Sequence, residues 1–450
     1  MPVTSAPPDP VRSSMYSANQ VTSFLISHLK VPVEAVVESN TSIPLVNIAP
    51  AGAKILFLSV TKLPSCICLS ASIGHLIESY INTGKKCEMI GYLNGYRGLL
   101  EGKTISFNEN VKLNYKVLFN FGGSPIGNSR VKLTNIKDCI KKGYIQRGEN
   151  PLKKAALQLI KDKVDILHTI GGDDTNTTAA DLVKYLKEKK YNLTVVGLPK
   201  TIDNDVIPIK QSLGAWTAAE QSANFFKNIV NENTTSSRNL IIHEVMGRNC
   251  GWLTAYSAYL YQKSLQETTF LPDILVSDNR WSIHAIYIPE IKINLDFEII
   301  RLKKVMDKND CVNIFLSEGA GISTIISEIE SEGLEVKRDA FGHVRLDEIN
   351  PGKWYSKKLG KSLKADKILI QKSGYFARSA SPNEKDLELI KKSSELAVKN
   401  ALKKNSGVIG NDEENKNKLS CIKFDRIKGH KEFNVDTEWF NLLLNEIGQK

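Results

Sequence analysis

No stretch of this 450-residue chain stays apolar long enough to cross a membrane as a helix, which argues against a helical membrane protein. Cysteine is sparse and unpatterned. Seven scattered thiols, an odd number, make no disulfide framework and point to a reducing compartment, so a cytoplasmic location is expected. Cys66 and Cys68 form a C-x-C pair, but no second pair stands near enough to complete a four-ligand metal site. Helix-turn-helix, zinc-finger and RNA-binding signatures are missing, and the lysines are spread rather than massed, which excludes the usual nucleic-acid modules. The net charge of +11 still suits acidic partners, small phosphate esters among them. One further absence is local. The apolar run KILFLSV leads into TKLPSC at 61–66, a turn without glycine, and the first glycine after it is Gly74. Strand-to-helix turns that hold phosphate usually place glycines there, so the role of this turn is open at this point.

What is present has a clear rhythm. Residues 1–53 are rich in Ser, Pro and Thr and read as a disordered N-terminal extension, distinct from the Lys-, Asn- and Ile-rich body. From Lys54 onward apolar runs alternate with amphipathic stretches. KILFLSV, KCEMIGYLNGYRGLL, VDILHTIGG, LTVVGLPK, RNLIIHEVMG and CVNIFLSEGAG read as buried strands ending in Gly-rich or acidic turns. TAADLVKYLKEKK and WTAAEQSANFFKNIVNE carry helical spacing between them. The pattern predicts an α/β fold with largely parallel sheets covered by helices, and 450 residues are enough for two lobes. GNDEENKNK, Gly410 to Lys418, is expected to be a surface loop before a last strand and the helix EWFNLLLNEIG.

The unusual clusters fall at strand ends, where such sheets bind ligands. In HTIGGDDTNTTAADL, Gly171 and Gly172 close a strand and Thr175 to Thr178 open a helix whose start favours an anion. Asp173 and Asp174 stand in the same place, and anionic side chains coexist with an anionic ligand when a cation lies between them, so a Mg²⁺–phosphate site is expected. A helix N-cap would account for one of the two Asp residues. In GLPKTIDNDVIP, Asp203 and Asp205 are two apart and follow Lys200 and Thr201. They can converge on one ligand, and a carboxylate near a cationic Lys and a metal would stay ionised and could accept a hydroxyl proton. The alternative is an Asx-turn in which Asp203, Asn204 and Asp205 satisfy backbone groups. Arg248 in VMGRNCG, Arg130 in FGGSPIGNSR and Arg378 in GYFARSASP each sit beside strand-terminal glycines, a setting for phosphate forks. Glu318 in FLSEGAG is an acceptor suited to sugar hydroxyls.

GGDDTNTTA, PKTIDND, MGRNCGWLTA, SEGAG and GYFARSASP, in this order, resemble the phosphofructokinase family, and most closely its pyrophosphate-dependent branch. The resemblance runs from about Lys54 to the C-terminus. It implies two Rossmann-like lobes: a pyrophosphate and Mg²⁺ lobe over 54–213, and a sugar-phosphate lobe with the C-terminal segment over 214–450. The implied reaction is reversible transfer from pyrophosphate to the 1-hydroxyl of fructose 6-phosphate, in a cytoplasmic homo-oligomer, dimer or tetramer. Asp203 would be the base, with Lys200, Asp174 and Arg248 as the other catalytic groups. Asp173 would hold Mg²⁺. Gly171, Gly172, Asp174, Lys200 and Arg130 would bind pyrophosphate. Thr201, Ile202, Asp203, Met246, Gly247, Arg248, Glu318, Tyr375, Phe376, Ala377 and Arg378 would line the sugar-phosphate site.

Asp174 and Lys200 resemble the pyrophosphate users, since ATP users typically have glycine at both. An Asp side chain fills and charges the space that an ATP α-phosphate needs, while Lys200 supplies a cation for the compact donor. Tyr375 stands where many ATP users have histidine. In the glycine-less turn, Leu63 and Pro64 occupy the family's glycine-pair positions. Pro64 has no N–H to give a phosphate. Two explanations stay open: a sequence error over 62–67, or a genuine loss that leaves a weak or silent sugar-phosphate-binding homologue. An ATP-dependent kinase is the third, disfavoured reading.

Overall fold

The computed structural model describes residues 53–59, 67–333, 335–336 and 349–450. The N-terminal extension and the turn at 61–66, with Cys66, Leu63 and Pro64, lie outside the described residues.

The apolar runs become strands because both of their faces are buried, as parallel sheets require. A seven-stranded sheet takes β1 (Ala53–Ser59), β2 (Cys87–Tyr92), β3 (Thr104–Ser106), β4 (Ile166–Gly171), β5 (Thr194–Pro199), β10 (Gly407–Asp412) and β11 (Lys418–Ile422), in the order β11-β10-β5-β4-β1-β2-β3. A four-stranded sheet takes β6 (Asn239–Val245), β7 (Ala285–Tyr287), β8 (Cys311–Ser317) and β9 (Lys367–Lys372), in the order β7-β8-β6-β9. The smaller sheet is parallel throughout. In the larger one the edge pairs β2–β3 and β10–β11 are antiparallel.

The helices that matter here are α1 (Leu69–Ile81), α2 (Asp173–Glu188), α3 (Ala215–Ile229), α4 (Trp252–Leu265), α5 (Pro351–Leu363), α6 (Gly374–Arg378) and α7 (Glu384–Leu402). Alternate residues of each strand feed different cores, as the period of two demands. Ile55, Val196 and Leu198 of the large sheet share one apolar core with Ile241, Val245 and Phe315 of the small sheet. Leu167 and Val195 face a second core, and Leu240, Ile242 and Ile314 a third. One apolar mass therefore runs between the sheets and fixes their carboxyl ends against each other. Buried Asp386 of α7 reinforces the joint. Its carboxylate accepts the Gly214 and Thr217 amides at 3.0 and 2.8 Å and so caps α3.

Three boundaries differ from the expectation. The run KCEMIGYLNGYRGLL is a strand only over Cys87–Tyr92, and its Tyr96–Leu100 part belongs to a short helix, Tyr96–Glu101. Gly410 to Asp412 complete β10 rather than opening a loop, because they pair with Ser420, Leu419 and Lys418 of β11, and the turn itself is 413–417. The helix after β4 starts at Asp173, two residues before Thr175.

Candidate active site

The GGDD cluster sits where β4 runs into α2. Gly172 is the N-cap and makes no side-chain cap, so neither Asp serves as the N-cap. Asn176 holds the turn instead, its Nδ2 donating to the Gly171 and Gly172 carbonyls at 3.1 and 2.9 Å. Asp173 and Asp174 thus occupy the first turn of a long helix, where the helix dipole stabilises negative charge. Lys132 donates to Asp174 Oδ1 at 2.8 Å, a cation that the sequence reading missed. Its only sequence signal is its place two residues after Arg130. The backbone of Gly429, from the far end of the chain, lies against the Asp173 carboxylate so closely that a β-carbon there would run into it.

The TIDND turn follows β5. Lys200 is buried, and its amide donates to the Gly171 carbonyl at 2.9 Å, which locks the two phosphate-side clusters together. Thr201 Oγ1 accepts the Asp203 amide at 3.2 Å and donates to Asp205 Oδ1 at 3.3 Å. The residue that satisfies the turn is Asn204. It has φ +56°, its Oδ1 accepts from Ser212 N at 2.8 Å, and its Nδ2 donates to the Lys210 carbonyl at 3.2 Å. Asp203 does otherwise: its Oδ1 is fully buried with no hydrogen-bond partner. The Asx-turn reading therefore fits Asn204 and fails for Asp203. Ile202, just before Asp203, is core.

Burial, then the charges of Asp205 and Glu318, push the Asp203 carboxyl up to about 8, against the opposing pull of Arg378 and Lys200. The expectation of an ionised carboxylate took Lys200 together with a metal. Desolvation wins in the ligand-free chain, and added positive charge is what would bring the proton off near neutral pH.

On the other side of the site, β6 ends at Val245 and the turn Met246–Gly247–Arg248 follows. Gly247 has φ +120°, a conformation that side chains rarely adopt. Its carbonyl accepts Ser317 Oγ at 2.6 Å, and its amide bonds Glu318. Gly319 is glycine because a β-carbon would run into the Arg248 carbonyl. Met246 packs on Gly374. Glu318 is raised by burial and lowered by Arg248, which sets it beside that guanidinium.

GYFARSASP forms the short helix α6 after β9. Arg378 is buried at 4% exposure, and its Nε and Nη1 have no partner. Burial lowers it from the ordinary arginine range, while Tyr375, Glu318 and Asp203 pull the other way and Arg130 adds to the lowering. The guanidinium carbon lies 4.7 Å from the Tyr375 ring centre. Ala377 is buried, and Phe376 is exposed, with its ring against that of Phe225. Arg130 is exposed on its loop. The structure thus draws Asp203, Lys200, Glu318, Arg248 and Arg378 into one electrostatic neighbourhood, with Asp173 and Asp174 at its β4 edge.

The same neighbourhood explains the helix after the glycine-less turn. The Ile67 amide donates to the Arg378 carbonyl at 3.2 Å, and Ser70 N to the Gly123 carbonyl at 3.1 Å. The start of α1 is therefore docked on the loops that carry Arg378 and Arg130.

Residues 60–347 match the family model "Phosphofructokinase". The chain belongs to the phosphofructokinase family. It is 56% identical over 382 residues to the pyrophosphate–fructose 6-phosphate 1-phosphotransferase of Methylomonas methanica, covering 85% of this chain and 93% of the relative. The protein of the same name from Mastigamoeba balamuthi is 54% identical, with the same coverage. Among solved structures, the pyrophosphate-dependent phosphofructokinase of Marinobacter aquaeolei superposes with a TM-score of 0.62 at 18% identity, covering 88% of this chain and 91% of that one. That likeness carries the fold; the family rests on the sequence matches.

A bound metal ion is expected from the family. Among the described residues no group of three His, Cys, Asp or Glu side chains is placed to hold one. The donor set suits Mg²⁺ nonetheless, because this ion keeps several waters and takes one or two carboxylates plus substrate phosphates. Asp173, at the mouth of the anion-favouring α2 terminus, offers one such carboxylate.

Proposed function

We propose that the chain transfers a phosphoryl group between pyrophosphate and the 1-hydroxyl of fructose 6-phosphate, reversibly. The observation that carries this reading is the Asp203 carboxylate, whose Oδ1 is buried without a hydrogen-bond partner, between two cation-bearing halves: Lys200 beside GGDD, and Arg248 with Arg378. In the forward direction Asp203 takes the proton of the sugar hydroxyl, the oxygen attacks the near phosphorus, and the bond to the departing phosphate breaks. Arg378, with two buried N–H directions unfilled, and Arg248 are the fork for the sugar phosphate, and Glu318 accepts from its hydroxyls. Asp173 would hold Mg²⁺, which would supply positive charge against the donor oxygens. Lys200, Arg130 and the Gly171–Gly172 turn would cradle pyrophosphate, while Asp174, held by Lys132, blocks the room a nucleotide needs. Domain limits of 54–213 and 214–450 and a cytoplasmic homo-oligomer are part of the same proposal and rest on the resemblance.

A second reading, a weak or silent sugar-phosphate-binding homologue, is favoured by Leu63 and Pro64 in place of a glycine pair. The donor assignment is tested by changing Asp174→Gly together with Lys200→Gly. We expect the rate with pyrophosphate to fall at least about tenfold. Unchanged kinetics would remove Asp174 and Lys200 from the donor site.

A further inference from the structure

The segment at 428–433, KGHKEF, belongs to no motif singled out in the sequence, yet it touches three clusters of the site. It is joined to the TIDND turn by backbone bonds: Ile207 N to the Lys428 carbonyl at 2.7 Å, Lys428 N to the Ile207 carbonyl at 3.1 Å, and Lys431 N to the Asp205 carbonyl at 2.9 Å. It meets GGDD through Gly429, whose backbone rests on the Asp173 carboxylate. It meets the VMGRNCG turn twice. Asn249 Nδ2 lies 3.0 Å from His430 Nδ1, and Glu290 Oε1 accepts both the Gly251 amide and the Phe433 amide at 2.8 Å. His430 holds φ +64°, a left-handed conformation that a non-glycine residue adopts at some cost, and the bond to Asn249 is what the side chain gains there.

We propose that this C-terminal strap sets the register between the donor and sugar sides of the site, with His430 and Glu290 as positioning residues. The inference rests on the phosphotransferase reading above for its kinetic consequence, but not for its structural one. Asp173 and Arg248 come from different sheets, and in-line transfer needs the groups that hold donor and acceptor to keep a fixed separation. The strap bonds to the turn next to Arg248 and presses on Asp173, so it spans that separation directly. Gly429 is glycine for space rather than for conformation, since any side chain would force the strap away from Asp173.

The test uses the full chain with His430→Ala, Asn249→Ala, the double variant and His430→Asn. Both side chains are exposed, so these changes leave folding intact and the melting temperature unchanged. In His430→Ala we expect kcat to fall roughly tenfold, with the KM of each substrate held within about twofold, the mark of lost positioning rather than lost binding. Asn249→Ala should lose the same factor and the double variant no more, because they remove one bond. Asparagine at 430 tolerates the left-handed backbone and should restore most of the rate. Amide hydrogen exchange supplies an independent readout: segments 171–176 and 246–251 should both exchange faster in His430→Ala. Unchanged kcat with unchanged exchange overturns the strap, as do additive losses in the double variant. If the unaltered chain does not use pyrophosphate, the functional reading fails, and the exchange result decides the strap alone.

Discussion

Asp203 shows how one buried carboxylate carries both a cost and a function. Its Oδ1 is buried without a protein donor among the described residues, and burial lifts its carboxyl to about 8. A carboxyl raised in the folded chain favours folding most at low pH, and that contribution is lost as pH climbs through about 8. Asp203→Asn removes the titration. Its melting temperature should therefore gain on that of the unaltered chain as pH goes from 6 to 9, measured by calorimetry, while its turnover falls by about 10²–10⁴. A melting difference that does not vary with pH would place the raised carboxyl elsewhere. If Asp203 is the base, as proposed, kcat/KM should rise with pH along a limb that reports the free chain, and kcat along one that reports the carboxyl with substrates and metal bound. Arg378 makes the complementary case. It is a buried guanidinium with two orphaned donors, so Arg378→Ala should raise the KM for fructose 6-phosphate about tenfold or more in steady-state assays, with that for pyrophosphate little changed.

The elements that position these groups were legible where an apolar strand runs into a Gly-rich or acidic turn. GGDD, TIDND, VMGR and SEGAG all sit at carboxyl ends of strands, and Gly319 shows why: the Arg248 backbone occupies the space of its side chain. Gly319→Ala should cost about 1–3 kcal/mol in denaturant unfolding and shift the Arg248 turn. The start of α2 was placed two residues late because Asp is an expected cap and Gly172 took that role. Lys132 and the strap at 428–433 escaped the sequence reading for another reason. Their contacts with Asp174 and Asp173 are made by chain segments some 40 and 250 residues away, and no local periodicity encodes such a meeting. Lys132→Met should raise the KM for pyrophosphate severalfold by freeing Asp174 to repel the donor. An unchanged KM would make the pair a surface bridge without function.

Across the whole molecule, two sheets share one core, and the chain returns at 407–422 to finish the first of them. That return leads the chain to the segment at 428–433, which bonds to the TIDND turn and, through Asn249 and Glu290, reaches the VMGRNCG turn. The family membership and the charges at Asp174 and Lys200 point to pyrophosphate as donor; Leu63 and Pro64 are the features that oppose an efficient enzyme. The decisive measurement is fructose 1,6-bisphosphate formation from fructose 6-phosphate and Mg²⁺, with pyrophosphate and ATP run in parallel, on the chain as it stands and with Leu63→Gly and Pro64→Gly. Turnover with pyrophosphate and not with ATP is the predicted result, and a rise in rate on restoring the glycines would measure what that turn has lost. Turnover with ATP alone, or with neither donor even after the glycines are restored, would contradict it.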